Sequence, residues 1–435
     1  MSHLPPPEAG TDPSLPGDLR PDAIVQTAAF FDRFIRFAAM PLGVIFSLFS
    51  LKIFLSLLLN GMGITHADLG PNWHDFQSFW SAGVAASEGN GGRIYDYAWH
   101  SDHIKQVFAA DGQDFGWHYP PQLLLLLAPL TGLPLPVAFA LWYLLPLAAF
   151  AWLVYRLIPD WRAPLIAMGC PAVFINTSYM QNGVLSTVLI GFALLPFIEN
   201  KKPSALSTGL LAFKPHLGLV FPVAYVAGGL WSSIAWTAFW LAVQTGLTAL
   251  VFGPQIWLDF WNSLAQSKDI LLSEVGAGAH HYTSVFGSVR LLHDNAPLAY
   301  LAQFFSAGLT LFVLWNVWRS DTPRPLKAAL LVASIALIAP YLMHYDMVLS
   351  VLAGVLLVQH RRFELWEQRD RLLLAGLWLC VAFNHELQKN YGIPSALIGN
   401  LLLYFLVHRI ISSEQARKGV HALSHSAASG PGSAH

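Results

Sequence analysis

From Phe37 to Leu59 the chain carries a single charged side chain, Lys52, and runs of this kind recur along most of its length. A helix needs about 20 predominantly apolar residues, roughly 17 to 25, to cross a bilayer. Only helices and closed barrels satisfy their own backbone there. Segments at Ile234–Phe252, Leu298–Trp318, Ala328–Leu342, Met347–Val358, Leu372–Phe383 and Ala396–Ile411 repeat the pattern, the shorter ones gaining a turn from flanking polar residues. Residues 119–229 are almost continuously apolar but broken by prolines, and hold several more. The expectation is an all-α, polytopic integral membrane protein with about 12 transmembrane helices. Charged residues are 11% of the 435, against roughly 25% in soluble domains, which excludes a soluble multidomain chain.

A formal net charge of −1 gives no electrostatic footprint for nucleic acid. Cys170 and Cys380 both fall in apolar runs, without CxxC or CxxH spacing, and read as small buried hydrophobes. Residues 1–32 open on a Pro-, Gly- and Asp-rich stretch with no basic region ahead of an apolar core, so they read as a disordered tail and not a signal peptide. A membrane domain over 33–412 follows, and 413–435 read as a second disordered tail. Arg33 and Arg36, then Arg319, Arg324 and Lys327, then Arg361, Arg362, Arg369 and Arg371, and finally Arg409, Arg417 and Lys418 flank successive spans. The positive-inside rule places all four groups, and both termini, in the cytoplasm. Two large loops then face outward, 60–117 and 253–297. The first carries seven acids against two bases, Arg93 and Lys105. Lys201 and Lys202 ask for a cytoplasmic turn near residue 200. That requires either a half-helix over Tyr119–Leu130 or a segment split at Lys214-Pro215.

Those outer segments collect the unusual polar residues. Asp75 is followed by Phe76, Phe79 and Trp80, and Phe76, Phe79 and Gly83 share one helical face, suited to lying along the membrane surface. Asp75 reads as the N-cap of that helix or as a general base taking a proton from an acceptor hydroxyl, and both hold together. Tyr119-Pro120-Pro121 starts a helix, where prolines sit well, and Tyr119 lines the loop. Asn182-Gly183 marks a turn, with Gln181 placed to bond a sugar hydroxyl. Lys214 lies inside Ala205–Gly228, where an ionisable group costs roughly 2.5–3.5 kcal/mol on insertion scales. It reads either as a buried ion pair, with Asp346 or another acid, or as a phosphate clamp. His280 and His281 have no acid at ligand spacing, so contact with phosphate or sugar is the better reading than metal. Arg290 is a second anion partner or a snorkelling interfacial residue. His344 and Asp346, at the outer end of two spans, read as a proton-shifting pair or as ordinary turn residues.

The segments Asp75-Phe76-x-x-Phe79-Trp80-x-Ala82-Gly83, Tyr95-Asp96, Tyr119-Pro120-Pro121, Gln181-Asn182-Gly183, Lys214-Pro215-x-Leu217-Gly218, Ser284-Val285-Phe286 and Pro340-Tyr341-x-x-x-Tyr345-Asp346 together resemble glycosyltransferase family 87. These are polyprenyl-phosphate-mannose-dependent mannosyltransferases with a GT-C type fold. Met180 stands where a Gly often precedes the Gln, and His344 where an acid is common. The resemblance spans about 37–412. It implies transfer of a sugar, mannose by default, from a polyprenyl-phosphate donor to a glycolipid or glycan acceptor, on the periplasmic face of a bacterial inner membrane. It also implies that Asp75 matches the catalytic acid of the first outer loop. Lys214, Arg290 and His281 are then expected at the donor phosphate. Gln181, Asn182, Tyr119, Trp80, His344 and Asp346 are expected at sugar or acceptor. A phosphate leaving group needs no second carboxylic acid, so one base suffices and inversion is expected. No Asp-x-Asp pair occurs in the outer loops, and the reading asks for no metal or other cofactor. A transporter or flippase for lipid-linked sugar shares the spans and the buried Lys. It gives no reason for an acidic, aromatic loop on one face. A ligase acting on lipid-pyrophosphate glycans would call for more outer arginines than Arg93 and Arg290.

Overall fold

The computed structural model describes residues 40–61, 75–108, 114–264, 281–361 and 363–428. The expected tail 1–32, residues 429–435 of the expected second tail, and His280 lie outside the described residues. The regular structure of the described residues is helical, apart from an isolated antiparallel bridge between Tyr282 and Met343.

Helix α1 (Met40–Gly61) matches the first expected span. Helices α2 (Phe76–Ser87) and α3 (Tyr97–Phe108) fall within residues 60–117, the first of the two expected outer loops. The proline-broken middle resolves into α4 (Leu124–Leu130), α5 (Leu135–Leu157), α6 (Arg162–Met168), α7 (Pro171–Tyr179) and α8 (Gly183–Ile198). It continues as α9 (Ala205–Leu210), a 3-10 turn Leu211–Phe213, α10 (Pro215–Gly218), α11 (Val220–Ala227) and α12 (Trp231–Phe252). The rest is α13 (Val285–Leu292), α14 (Ala296–Arg319), α15 (Arg324–Ile338), α16 (Val348–His360), α17 (Gln368–Ala382), α18 (Asn384–Tyr391) and α19 (Ser395–Ala428). Both devices weighed for the middle are present. Helix α4 has only 7 residues, and the chain breaks at Lys214, whose φ of −135° and ψ of 67° are not helical, before Pro215 restarts it.

Among the described residues four helical stretches are long and apolar enough to cross a membrane by length and composition: α5, α12, α14 and Ser395–Lys418 of α19. Helices α15, α16 and α17, at 15, 13 and 15 residues, are about as long as the segments expected there and fall short of the roughly 20 residues of a full span. Helix α15 is apolar on all sides and buried from Ala328 to Ile338, the signature of a central helix. It packs against α8, α11, α14, α16 and α19. Around it, α14 turns Leu301, Phe304, Phe305 and Phe312 outward, each at least 67% exposed, as a lipid-facing surface requires.

Two local expectations change. The Phe76, Phe79, Gly83 stripe faces protein, not a membrane surface. Both phenylalanines are buried, Phe76 meets Phe139 and Trp142 of α5, and a Cβ on Gly83 would come 2.9 Å from the Leu127 carbonyl of α4. The short α4 gave that stripe an apolar wall, which periodicity alone does not reveal. The second is the C-terminal boundary expected at 412, since α19 continues as one helix to Ala428. Ala416, Arg417 and Lys418 carry no breaker, and Lys418 Nζ donates to the Asp321 carbonyl at 3.0 Å.

The ends of the bundle differ in chemistry. At one, Arg324 donates to the carbonyls of Phe197 and Lys201 and Arg156 pairs with Glu199 at 2.5 Å. Lys201 thus joins the other basic residues, as the turn near 200 required. At the opposite end α2, the α7–α8 turn, the Lys214 break and the turn before α16 meet.

Candidate active site

Asp75 directly precedes α2 with helical backbone angles, φ −67° and ψ −15°, yet its side chain caps no amide. Its carboxylate instead accepts a hydrogen bond from Gln181 Nε2 at 2.5 Å. The other half of that amide is also fixed. Gln181 Oε1 accepts from the Tyr119 hydroxyl at 3.2 Å and from the Asn182 N–H at 3.2 Å. Two donors on the oxygen leave only the nitrogen to face the carboxylate, which settles which way the amide points. Tyr119 is held in turn by Phe79 and Trp117, with ring centroids 5.4 and 5.1 Å away.

The α7–α8 turn presents Gln181 because of its two neighbours. Met180 adopts the left-handed region at φ 54°, where a Gly meets less strain. Here the buried Met180 side chain offsets that strain within the Phe76, Phe79 and Tyr119 cluster. At Gly183 a Cβ would sit 2.2 Å from the Tyr345 carbonyl and 2.7 Å from Asn176 Nδ2, so only Gly lets α8 approach the turn before α16. Asn176 Nδ2 donates to the same carbonyl at 3.4 Å.

That turn, the 3-10 segment His344–Met347, carries the second carboxylate. Asp346 Oδ1 accepts from Lys214 Nζ at 2.6 Å, with both side chains buried, 1% and 5% exposed. The ammonium also lies 4.9 Å from the Tyr345 ring centroid. Asp346 Oδ2 is buried with no hydrogen-bond partner among the described residues. The ion pair is therefore the reading of Lys214 that the geometry displays. An ammonium has three protons to give, and one goes to Asp346.

The Asp75 and Asp346 groups are neighbours. Tyr119 and Tyr345 each experience the charge of both carboxylates. Burial first, and then those charges among others, push both phenols well above their ordinary value, so they stay neutral donors. Burial raises Asp75 from 3.8 to about 6, only partly offset by the Gln181 hydrogen bond. A carboxyl poised there is ionised at neutral pH yet basic enough to take a proton.

Beside this group the histidines form a cluster of rings in tilted and edge contacts. His344 Nδ1 donates to the His281 carbonyl at 3.1 Å. Its ring lies 4.4 Å from that of Tyr179 and 5.0 Å from that of His281, which is 6.1 Å from His385. Gln388 of α18 and Asn400 of α19 donate to the carbonyls of Tyr282 and Thr283, fixing the chain ahead of α13. Trp80 is half-buried, its ring 6.3 Å from Phe76. Arg290 is engaged by Asp294, through Nε at 2.9 Å and Nη2 at 2.5 Å. Among the described residues no cluster of three or more His, Cys, Asp or Glu has the geometry to hold a metal ion.

Hydrogen bonds thus join Asp75, Gln181, Asn182 and Tyr119, and an ion pair joins Lys214 and Asp346. Sequence reasoning missed Tyr345 as a contributor, although it stood in a quoted motif, and missed Asn176, Tyr179 and His385. Nothing local marks these three, because their place in the site comes from packing between elements far apart in the chain.

The model of glycosyltransferase family 87 matches residues 117–340, about half of the chain. The matched stretch contains Tyr119, Gln181, Lys214 and Arg290 and ends before Asp346, while Asp75 precedes it. No curated protein and no solved structure matches the chain.

Proposed function

The chain belongs to glycosyltransferase family 87, and we propose that it moves a hexose, mannose by family likeness, from polyprenyl phosphate to the hydroxyl of a glycolipid or glycan acceptor. The observation that carries this reading is the half-buried Asp75 carboxylate. It caps nothing, is oriented by Gln181 and is raised to about 6. In the proposed step the acceptor oxygen attacks the anomeric carbon as the bond from that carbon to the phosphate oxygen breaks. The acceptor proton passes to Asp75 and polyprenyl phosphate departs. One displacement inverts the anomeric centre.

The departing phosphate needs donors and positive charge where its own charge develops. Lys214 has protons beyond the one given to Asp346, and the phenols of Tyr119 and Tyr345 stay protonated beside it. On this reading the tilted His281–His344 ring pair contacts phosphate or sugar, and Trp80 stacks on a sugar ring. Arg290, occupied by Asp294, has the weakest support as a phosphate ligand. The four basic clusters favour a site on the periplasmic side of a bacterial inner membrane with both termini cytoplasmic, and the GT-C type architecture fits a site at one end of the bundle.

The test uses purified full-length protein in detergent, a polyprenyl-phosphate mannose donor and a hydroxyl acceptor, with product and released polyprenyl phosphate quantified together. Asp75→Asn is expected to lower turnover by roughly 10²–10⁴-fold while donor binding persists. Wild-type turnover in that variant removes the proposed base. Retained anomeric configuration in the product removes the single displacement.

A further inference from the structure

Far from Asp75, a groove of about 440 Å³ opens between α17 and α19. These helices run antiparallel, and the end that bears the groove is the start of α17, opposite the α18 end that packs near His281. Its walls are Leu372 of α17 and Leu402 and Phe405 of α19, and its rim carries two guanidinium groups, Arg369 and Arg409. Gly376 forms the floor, where even a Cβ would come 3.1 Å from Leu402 Cδ1.

The two arginines are not equivalent. Arg409 is taken up by Asp370 at 2.6 Å and by Glu367. Arg369 is exposed and has no ion pair or hydrogen bond among the described residues. Arg361 and Arg371 lie on the segments flanking it. An apolar slot between two membrane helices, ending at an unneutralised guanidinium, matches an acyl chain joined to an anionic head group. Arginine's planar fork suits phosphate oxygens, and basic pockets between membrane helices bind anionic lipid head groups. A zwitterionic lipid satisfies the slot but brings its own cation to the rim.

We propose that this groove is a binding site for an anionic phospholipid, one acyl chain lying between α17 and α19 and the phosphate on Arg369.

The full-length protein in detergent is titrated with dioleoyl phosphatidylglycerol and separately with dioleoyl phosphatidylcholine, and bound lipids are counted by native mass spectrometry. Phosphatidylglycerol is expected to bind more tightly. One arginine near a membrane surface contributes about 1 kcal/mol, so Arg369→Gln is expected to weaken phosphatidylglycerol about fivefold and leave phosphatidylcholine unchanged. Arg319→Gln, at an exposed helix end elsewhere, is the control and is expected to change neither. Filling the floor with Gly376→Leu is expected to weaken both lipids. Equal affinity for the two lipids, or equal losses in Arg369→Gln and Arg319→Gln, overturns the proposal. So does polyprenyl phosphate occupying the Arg369 site in place of phosphatidylglycerol. Circular dichroism of each variant separates a lost site from a lost fold.

Discussion

Two carboxylates a few side chains apart are handled in opposite ways. Asp346 is closed off at 1% exposure and neutralised by a full positive charge, the Lys214 ammonium at 2.6 Å. Asp75 is half-buried and receives a neutral amide, Gln181 at 2.5 Å. An ammonium cancels charge and locks a carboxylate into the structure. An amide orients it while leaving its basicity to be set by burial. The pair suits holding two distant segments together, and the amide-held acid suits exchanging protons. On the function proposed above, the contrast fits a holding part for Asp346 and a proton-accepting part for Asp75.

Breaking the pair is the harshest way to probe that division. Removing one partner of a buried ion pair strands the other and costs about 3–5 kcal/mol, whereas replacing both with apolar groups is often near neutral. Lys214→Met and Asp346→Leu singly are therefore expected to lower thermal stability in detergent severely, and the double variant to recover most of it. If the pair were only a strut, the double variant would also recover glycosyl transfer. A stable double variant with turnover still lost shows that Lys214 acts on the donor as well. Equal stability of singles and double means the pair does not hold the segments.

The opposite side of the comparison is sharpened by pH. Asp75 at about 6 must be ionised to accept a proton, so kcat/KM is expected to rise through about pH 6 and to fall tenfold per unit below it. The Gln181 hydrogen bond favours the ionised form. Gln181→Leu therefore moves the midpoint upward and leaves the acidic limb steeper at neutral pH. The linkage to folding has the opposite sense. The folded value lies above the ordinary 3.8, so between about pH 4 and 6 the native state keeps the proton that the unfolded chain has released. The contribution of Asp75 to stability then falls as pH rises through that window, and Asp75→Asn is expected to remove that contribution from the slope. A midpoint unchanged in Gln181→Leu would show that the amide does not set the basicity of Asp75.

How much of this was legible in the sequence follows from the range of the forces involved. Helical segments were readable because apolar runs and prolines act locally. The edges of α12 and α14 came within a few residues of expectation. The partner of Lys214 was named as one of two readings because an intramembrane cation demands an acid or an anion, whichever segment supplies it. Gln181 was singled out from a turn signal, but its bond to Asp75 joins residues 106 apart, and no spacing rule reaches that far. The half-helix α4 and the Lys214 break were each conceivable alone. That α2 packs over α4 is a tertiary fact, which no local signal reports. Met180 was noticed only as a departure from a Gly. The left-handed backbone at φ 54° supplies its physical reason.

The mildest perturbation lies behind Asp75, in the first turn of α2. Ser78 N–H donates to the Asp75 carbonyl at 3.2 Å, and Ser78 Oγ meets His100 Nε2 of α3 at 3.1 Å. His100 is fully buried, and burial together with the nearby His103 and His118 lowers its imidazole to about 3. A ring that neutral at working pH acts as a fixed strut and not as a titrating switch. Ser78→Ala deletes one buried hydrogen bond, of about 1 kcal/mol, and lets the start of α2 loosen. The expected result is a turnover reduced several-fold with the pH midpoint of kcat/KM unchanged, because the burial and the Gln181 contact that set Asp75 are intact. A shift of that midpoint would instead tie His100 electrostatically to Asp75 and merge what now look like separate roles, one side chain that fixes the helix and another that sets the proton.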